Sequence, residues 1–169
     1  MVLRLLQRHL AQGRVPSAFL FTGPEGVGKR LTAFEVAKAL NCERLAEEAC
    51  DQCEQCRRID RRVHPDVHEL TPQGALEAIR IDEIRQVMSR IALRPFMARV
   101  QVVILDGADR LTEEAANSLL KLLEEPPGHA RLFLLASQPT RCLPTIVSRC
   151  EMVRFWRLPS ALVEAVLQS

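Results

Sequence analysis

The chain has 169 residues, a formal net charge of +2, and 47% hydrophobic against 26% charged residues. That length suits one domain with a full core, and the balance is that of ordinary soluble globular proteins. So small a charge gives no ground for nucleic-acid or membrane binding. No apolar run approaches the ~18 residues of a membrane span, and one Trp, six Phe and no Tyr leave little for base-stacking platforms.

The opening stretch sets Val2, Leu3, Leu5, Leu6 and Leu10 at helical spacing, which predicts an amphipathic helix. It lacks the apolar core and small-residue cleavage site of a signal peptide, so a cytoplasmic protein is expected. Residues 18–21 are an apolar run closed by Thr22-Gly23-Pro24, a buried strand entering a loop. Helical periodicity resumes over 29–40, and a cysteine-rich segment follows. Val67-His68-Glu69-Leu70 reads as a second strand. Ile81, Ile84, Val87 and Ile91 lie along one face of a predicted helix over 79–93. Residues 100–105 form a nearly continuous apolar run, typical of a strand covered on both faces. Thr112 is placed to cap a helix over 112–125, which Pro126-Pro127 ends. A fourth strand over 132–136, a helical turn over 144–148 and a fifth strand over 152–156 complete the pattern. Strands alternating with helices predict an α/β fold, a five-stranded parallel sheet flanked by helices.

Gly23-Pro24-Glu25-Gly26-Val27-Gly28-Lys29 matches G-x-x-x-x-G-K between a predicted strand and a predicted helix, the context the motif requires. The glycines let backbone N–H groups curl around phosphate oxygens, and the helix N-terminus adds partial positive charge. Lys29 is the residue that reaches the outer phosphates. The alternative, a glycine-rich turn with a chance lysine, leaves that context unexplained. A working loop of this kind has Ser or Thr next, to ligate magnesium, but here the residue is Arg30, whose guanidinium carries no acceptor. Thr32 lies roughly 200° around the helix from Arg30 and does not substitute. An acid at the end of the neighbouring strand is supplied by Asp106. The position after it, where related ATPases carry a water-activating Glu, is Gly107. Asp109 gives no reason to reach the same water. These two departures predict a site that holds a nucleotide, ATP or ADP, yet hydrolyses it poorly or not at all.

Cys42, Cys50, Cys53 and Cys56 bring four thiols within 15 residues, apart from Cys142 and Cys150. In a reducing compartment such a cluster suits a structural tetrahedral Zn2+. A redox pair and unliganded thiols are the alternatives. His64 and His68 flank a strand, where histidines are more often surface or core residues than ligands.

Over essentially its whole length the sequence resembles the N-terminal AAA+ module of bacterial DNA polymerase III clamp-loader subunits. The resemblance rests on the P-loop, the four-cysteine insertion and the helix opening Ile81-Asp82-Glu83-Ile84-Arg85. It rests also on the run from Ala115-Ala116-Asn117 through Leu119-Leu120-Lys121 to Glu124-Glu125-Pro126-Pro127, and on Ser148-Arg149-Cys150. It implies an AAA+ module over 1–156 with a zinc insertion at 42–56. Residues 157–169 would then begin a lid domain, truncated before its sensor arginine and before an oligomerising collar. It implies a pentameric hetero-oligomeric loader with gamma/tau and delta partners. That assembly acts on the sliding clamp and primer-template DNA, with no membrane involved. In such loaders the arginine of the Ser-Arg-Cys signature serves the ATP of the neighbouring subunit, so Arg149 is expected to act in trans. Ser137 or Gln138 occupies the place of a polar γ-phosphate sensor. Arg30 and Gly107 favour the delta prime type over the ATP-hydrolysing gamma/tau type.

Overall fold

Five parallel strands form one sheet in the computed structural model of the chain, which describes residues 8, 9, 11, 13, 15–44, 48–74 and 77–157. The strands are β1 (Ala18–Thr22), β2 (Val67–Leu70), β3 (Gln101–Asp106), β4 (Ala130–Ala136) and β5 (Glu151–Arg154), in the spatial order β2-β3-β4-β1-β5. Four longer helices and one short one connect them: α1 (Lys29–Asn41), α2 (Glu54–Asp60), α3 (Ile81–Ile91), α4 (Glu113–Glu124) and α5 (Pro144–Val147). Among the described residues, no helix is long and apolar enough to cross a membrane. Of the predicted N-terminal helix only residues 8, 9 and 11 are described, all three helical, and the rest of it and the stretch from 158 onward lie outside the described residues.

The side-chain alternation of the strands separates two cores. On one face Phe19, Phe21, Val102, Ile104, Phe133 and Leu135 pack against Ala33, Phe34, Val36 and Ala37 of α1 and Ile59 of α2. On the other, Leu20, Val103, Leu105, Leu132 and Leu134 meet Ile84 and Val87 of α3, Leu119 and Leu123 of α4 and Ile146 of α5. Because both faces of β1, β3 and β4 are covered, these strands read as unbroken apolar runs rather than alternating ones.

Where the element ends depart from the sequence reading, a local hydrogen bond explains it. The helix predicted over 79–93 starts later, because Ile79 bridges Leu111 instead and the Arg80 N–H donates to the Glu83 carboxylate at 2.8 Å, closing the first turn. The last strand stops at Arg154, not 156, since its partner β1 ends at Thr22 in the register Thr22↔Arg154. The α2 helix was not anticipated at all. It is one short element inside the cysteine segment, and the Cys53 thiol caps it by accepting the Cys56 N–H at 3.5 Å.

Two polar side chains fix the sheet's lower edge. Asp66, 2% exposed, accepts the backbone N–H groups of Phe96, Met97 and Ala98 at 2.7–2.8 Å. Burial alone would raise its pKa, but these donors outweigh it and hold the carboxyl below its ordinary value. Asn41, at the end of α1, accepts the N–H groups of Arg99 and Val100 and donates to the Val100 carbonyl, tying α1 to the entry of β3.

Candidate functional site

The glycine-rich loop leaves the C-terminal end of β1, between β4 and β5, and opens α1. This is where ligands sit in open parallel sheets. Its first glycine is dictated by crowding. Gly23 has φ 146°, and a Cβ there would stand 2.4 Å from the Phe155 carbonyl oxygen. The Gly23 N–H donates to the Ala136 carbonyl at 3.3 Å, and the Phe155 N–H donates to the Thr22 carbonyl at 2.7 Å, so the loop starts wedged between its two neighbours. Gly28 caps α1 in the left-handed region at φ 91°.

Lys29 is 7% exposed, and its Nζ donates to the carbonyls of Gly23 at 2.6 Å and Pro24 at 2.8 Å, with Ser137 Oγ at 3.5 Å. Burial lowers its pKa, against the pull of Asp106, Asp109 and Glu25. The lysine therefore reaches Ser137, one of the two expected sensor positions, and the backbone N–H groups of both Ser137 and Gln138 donate to Asp109 Oδ2, at 3.1 and 2.7 Å. A cleft of about 450 Å³ opens beside this loop, walled by Glu25, Gly26, Gly28, Lys29, Arg30, Pro72, Asp106, Gly107, Arg110 and Ser137 among others.

Arg30 is half exposed, yet its guanidinium is held by acids. Its Nε and Nη2 both donate to the Glu69 carboxylate, the second at 2.9 Å, and Nε lies 3.8 Å from Asp106 Oδ2. Glu69 is opposite Ile104 in the β2–β3 register, which puts it on the same sheet face as Asp106 and as α1. The hydrogen bond to Glu69 raises the Arg30 pKa further, while burial pushes the Asp106 carboxyl up against the lowering effect of Arg30. The acid expected to face a metal through water thus faces a guanidinium. Sequence reasoning missed Glu69, because its pairing is made across the sheet. A charged residue inside the strand Val67–Leu70 was the available signal.

At Gly107 the backbone itself leaves no room for a side chain. The residue sits at φ 115°, and a Cβ would come within 2.7 Å of Pro72 Cγ. The chain turns there into a single 3-10 turn, Ala108–Arg110, and Asp109 folds back to accept the N–H groups of Ser137 and Gln138. Asp109 is a structural clasp between the ends of β3 and β4. Arg110 at the rim pairs with Glu25 at 2.9 Å and Glu77 at 3.2 Å.

On the far side of α1 the Sγ atoms of Cys42, Cys50, Cys53 and Cys56 all lie within 4.8 Å of one another, a group that could hold a metal ion. Tetrahedral zinc with Zn–S of about 2.3 Å needs sulfurs about 3.8 Å apart, so the four thiols fit after a small contraction. Cys50 Sγ accepts the Cys53 N–H at 3.3 Å. Backbone donors from Gln52 and Cys53 bring the Cys50 thiol down to about 6, whereas burial drives Cys56 up. His64 stays outside the cluster. Its Nδ1 accepts the Asp66 N–H at 3.1 Å, which leaves Nε2–H to donate to Gln55 Oε1 at 2.6 Å. Lys38, 5% exposed along its side chain, contacts Glu35 at 2.9 Å, Asp51 at 2.6 Å and Asp60 at 3.0 Å. It fastens the cysteine loop and the end of α2 onto α1.

Arg149 follows α5 and lines no part of the cleft described above. Its Nη2 lies 2.8 Å from Glu124 Oε1, at the end of α4, and its Nη1 donates to the Thr145 carbonyl at 3.0 Å. One third of its side chain remains exposed.

Comparison with known proteins gives this geometry a family. The family model described as "DNA polymerase III, delta subunit" matches residues 1–159. DNA polymerase III subunit delta' of Bacillus subtilis is 35% identical over 169 residues, covering 99% of this chain and 50% of the relative. The delta' subunit of Pseudomonas aeruginosa is 41% identical over 134 residues, covering 79% and 41%. DNA polymerase III subunit tau of Bacillus subtilis is 36% identical over 163 residues, covering 96% and 28%. The chain spans half the length, or less, of these curated relatives. Among solved structures, a DNA polymerase III gamma subunit-related protein of Thermotoga maritima superposes with a TM-score of 0.66 at 25% identity, over 99% of this chain and 50% of that one. The RuvB Holliday junction branch migration motor of Thermotoga maritima, at TM-score 0.55 and 16% identity over 92% and 42%, shares the fold alone. The sheet therefore shares its fold with these structures, and the chain belongs to the DNA polymerase III delta-subunit family, with delta prime subunits among its relatives.

Proposed function

We propose that this chain is the nucleotide-site module, over 1–156, of a delta prime-type clamp-loader subunit that keeps the frame of an ATPase without hydrolysing ATP itself. Its assembled partners would be gamma/tau and delta subunits, and through them the sliding clamp and primer-template DNA in the cytoplasm. One observation carries the reading: Arg30 bonds to Glu69 and lies against Asp106 where a magnesium-binding hydroxyl and its acid are needed. Gly107 supports it, since the position that would activate water has no side chain and a backbone that excludes one. Magnesium does not fit this arrangement of groups.

Arg149 is then the chain's contribution to catalysis, offered to the ATP of the adjacent subunit. Its distance from the chain's own cleft and its one-third exposure support a role in trans. Cys42, Cys50, Cys53 and Cys56 would hold a zinc ion, which when bound ties the loop after α1 to α2 and takes no part in chemistry. The tau-type relatives make a hydrolysing motor the competing reading. Steady-state ATPase of the isolated full-length protein decides between them, with no magnesium-dependent turnover expected. In the reconstituted loader Arg149→Ala should cut ATPase by about 10^3-fold or more at the site it serves, while leaving this subunit's melting temperature unchanged. An unaltered rate would end the trans assignment. Metal analysis of reduced protein should return one zinc per chain.

A further inference from the structure

In a magnesium-dependent P-loop the metal is held between a hydroxyl on the first turn of the helix and an acid on the next strand. In this chain that gap is spanned by a protein cation. Arg30 is the second residue of α1, and two of its five N–H donors are spent on Glu69. Three remain to donate, on a side chain that is half exposed and lies on the wall of the cleft beside Lys29. The guanidinium is not free to wander. The carboxylate of Glu69, 20% exposed, grips it at two atoms, and Asp106 stands 3.8 Å away on the same sheet face. A divalent cation at Asp106 would have to sit against this guanidinium, which cannot shed its proton. Phosphate oxygens have the opposite preference. Guanidinium donors in a fixed fork match them in charge and geometry.

We propose that the cleft binds the nucleoside polyphosphate in its metal-free form, with Arg30 as a built-in counter-ion in place of magnesium. Lys29 and Arg30 are the phosphate-binding cations, and Glu69 and Asp106 are positioning residues for Arg30. The inference rests on the reading of this cleft as a non-hydrolysing nucleotide site, and it adds the species that the site selects.

The test is equilibrium binding of fluorescent N-methylanthraniloyl-ATP and -ADP to the full-length protein, with magnesium and in a chelator-free buffer passed over a chelating resin, which removes magnesium without stripping a metal held by the four cysteines. The Kd should agree between the two buffers to within about threefold. Arg30→Thr, which places a hydroxyl on the helix, should make binding metal-dependent, at least about tenfold weaker without magnesium than with it. Glu69→Gln should weaken wild-type binding about equally in both buffers, because it loosens Arg30 without creating a metal site. Arg30→Thr leaves Glu69 and Asp106 without their cation, so a small drop in melting temperature should accompany it, and binding is compared well below that temperature. Wild-type binding that removal of magnesium weakens about tenfold or more overturns the proposal. So does binding in neither buffer, whether or not Arg30→Thr then binds with magnesium. Hydrolysis measured in the same samples separates the two readings. Turnover by the wild type refutes the non-hydrolysing site, whereas metal-dependent binding without turnover refutes only the counter-ion.

Discussion

Restoring a glutamate at position 107 looks, on paper, like the shortest route back to an ATPase. Gly107 sits at φ 115° with Pro72 Cγ 2.7 Å from any Cβ, so the new side chain would strain the turn and push into the cleft wall. Gly107→Glu is expected to lose about 1–3 kcal/mol of stability in a urea titration and to gain no ATPase, alone or with Arg30→Thr. Recovery of turnover by the single change would show that the backbone relaxes freely. At this scale the sequence was legible where chemistry is carried by residue type. The loop from Gly23 to Lys29, the guanidinium of Arg30 and the four thiols could all be read directly. What could not be read was each residue's partner. Glu69 lies 39 residues from Arg30 in the chain, and Glu124 lies 25 residues from Arg149. Both pairings exist only after the sheet and its helices have assembled.

Among the elements, α2 and its cysteine loop depend most on a single side chain. Lys38 is nearly buried, and burial alone would lower its pKa, but the carboxylates of Asp51, Glu35 and Asp60 raise it well above the ordinary lysine value. A raised folded-state pKa means the contribution is complete below the unfolded value of about 10.4 and is lost as pH rises through the folded one. Lys38→Met keeps the packing but leaves three acids facing one another. Those acids are 45%, 62% and 47% exposed and regain much of their hydration. The cost is therefore expected at about 1–2 kcal/mol, below the 3–5 typical of a broken buried pair. Protein loaded with zinc at the four proposed cysteine ligands should also release it faster into a chromogenic chelator. An unchanged release rate would mean that the loop needs no anchor on α1. The α2 helix escaped sequence reading because its seven residues are dense in charge and its cap is a thiol, neither of which is a periodic apolar signal.

For the whole molecule the three-layer plan was legible, because β1, β3 and β4 are covered on both faces and so advertise themselves as apolar runs. The order β2-β3-β4-β1-β5 was not, since it is set by which helices cross which face. The sheet's centre is aromatic on the α1 side. Phe19 and Phe133 stack with centroids 5.4 Å apart, and Phe21 and Phe155 extend the row. Phe133 is fully buried, so Phe133→Ala should cost about 3–5 kcal/mol in thermal or urea unfolding. A loss under about 1 kcal/mol would mean that the neighbours collapse into the space.

The row of rings ends at Phe155, and there the crowding at Gly23 acquires a mechanical meaning. The strand that ends at Arg154 hands its backbone directly to the mouth of the glycine-rich loop, through the Phe155 N–H on the Thr22 carbonyl and the Phe155 carbonyl against Gly23. No side chain intervenes as a cushion. A displacement of Phe155 would therefore be passed to the loop's first residue through backbone contacts alone, like a push along a rigid rod.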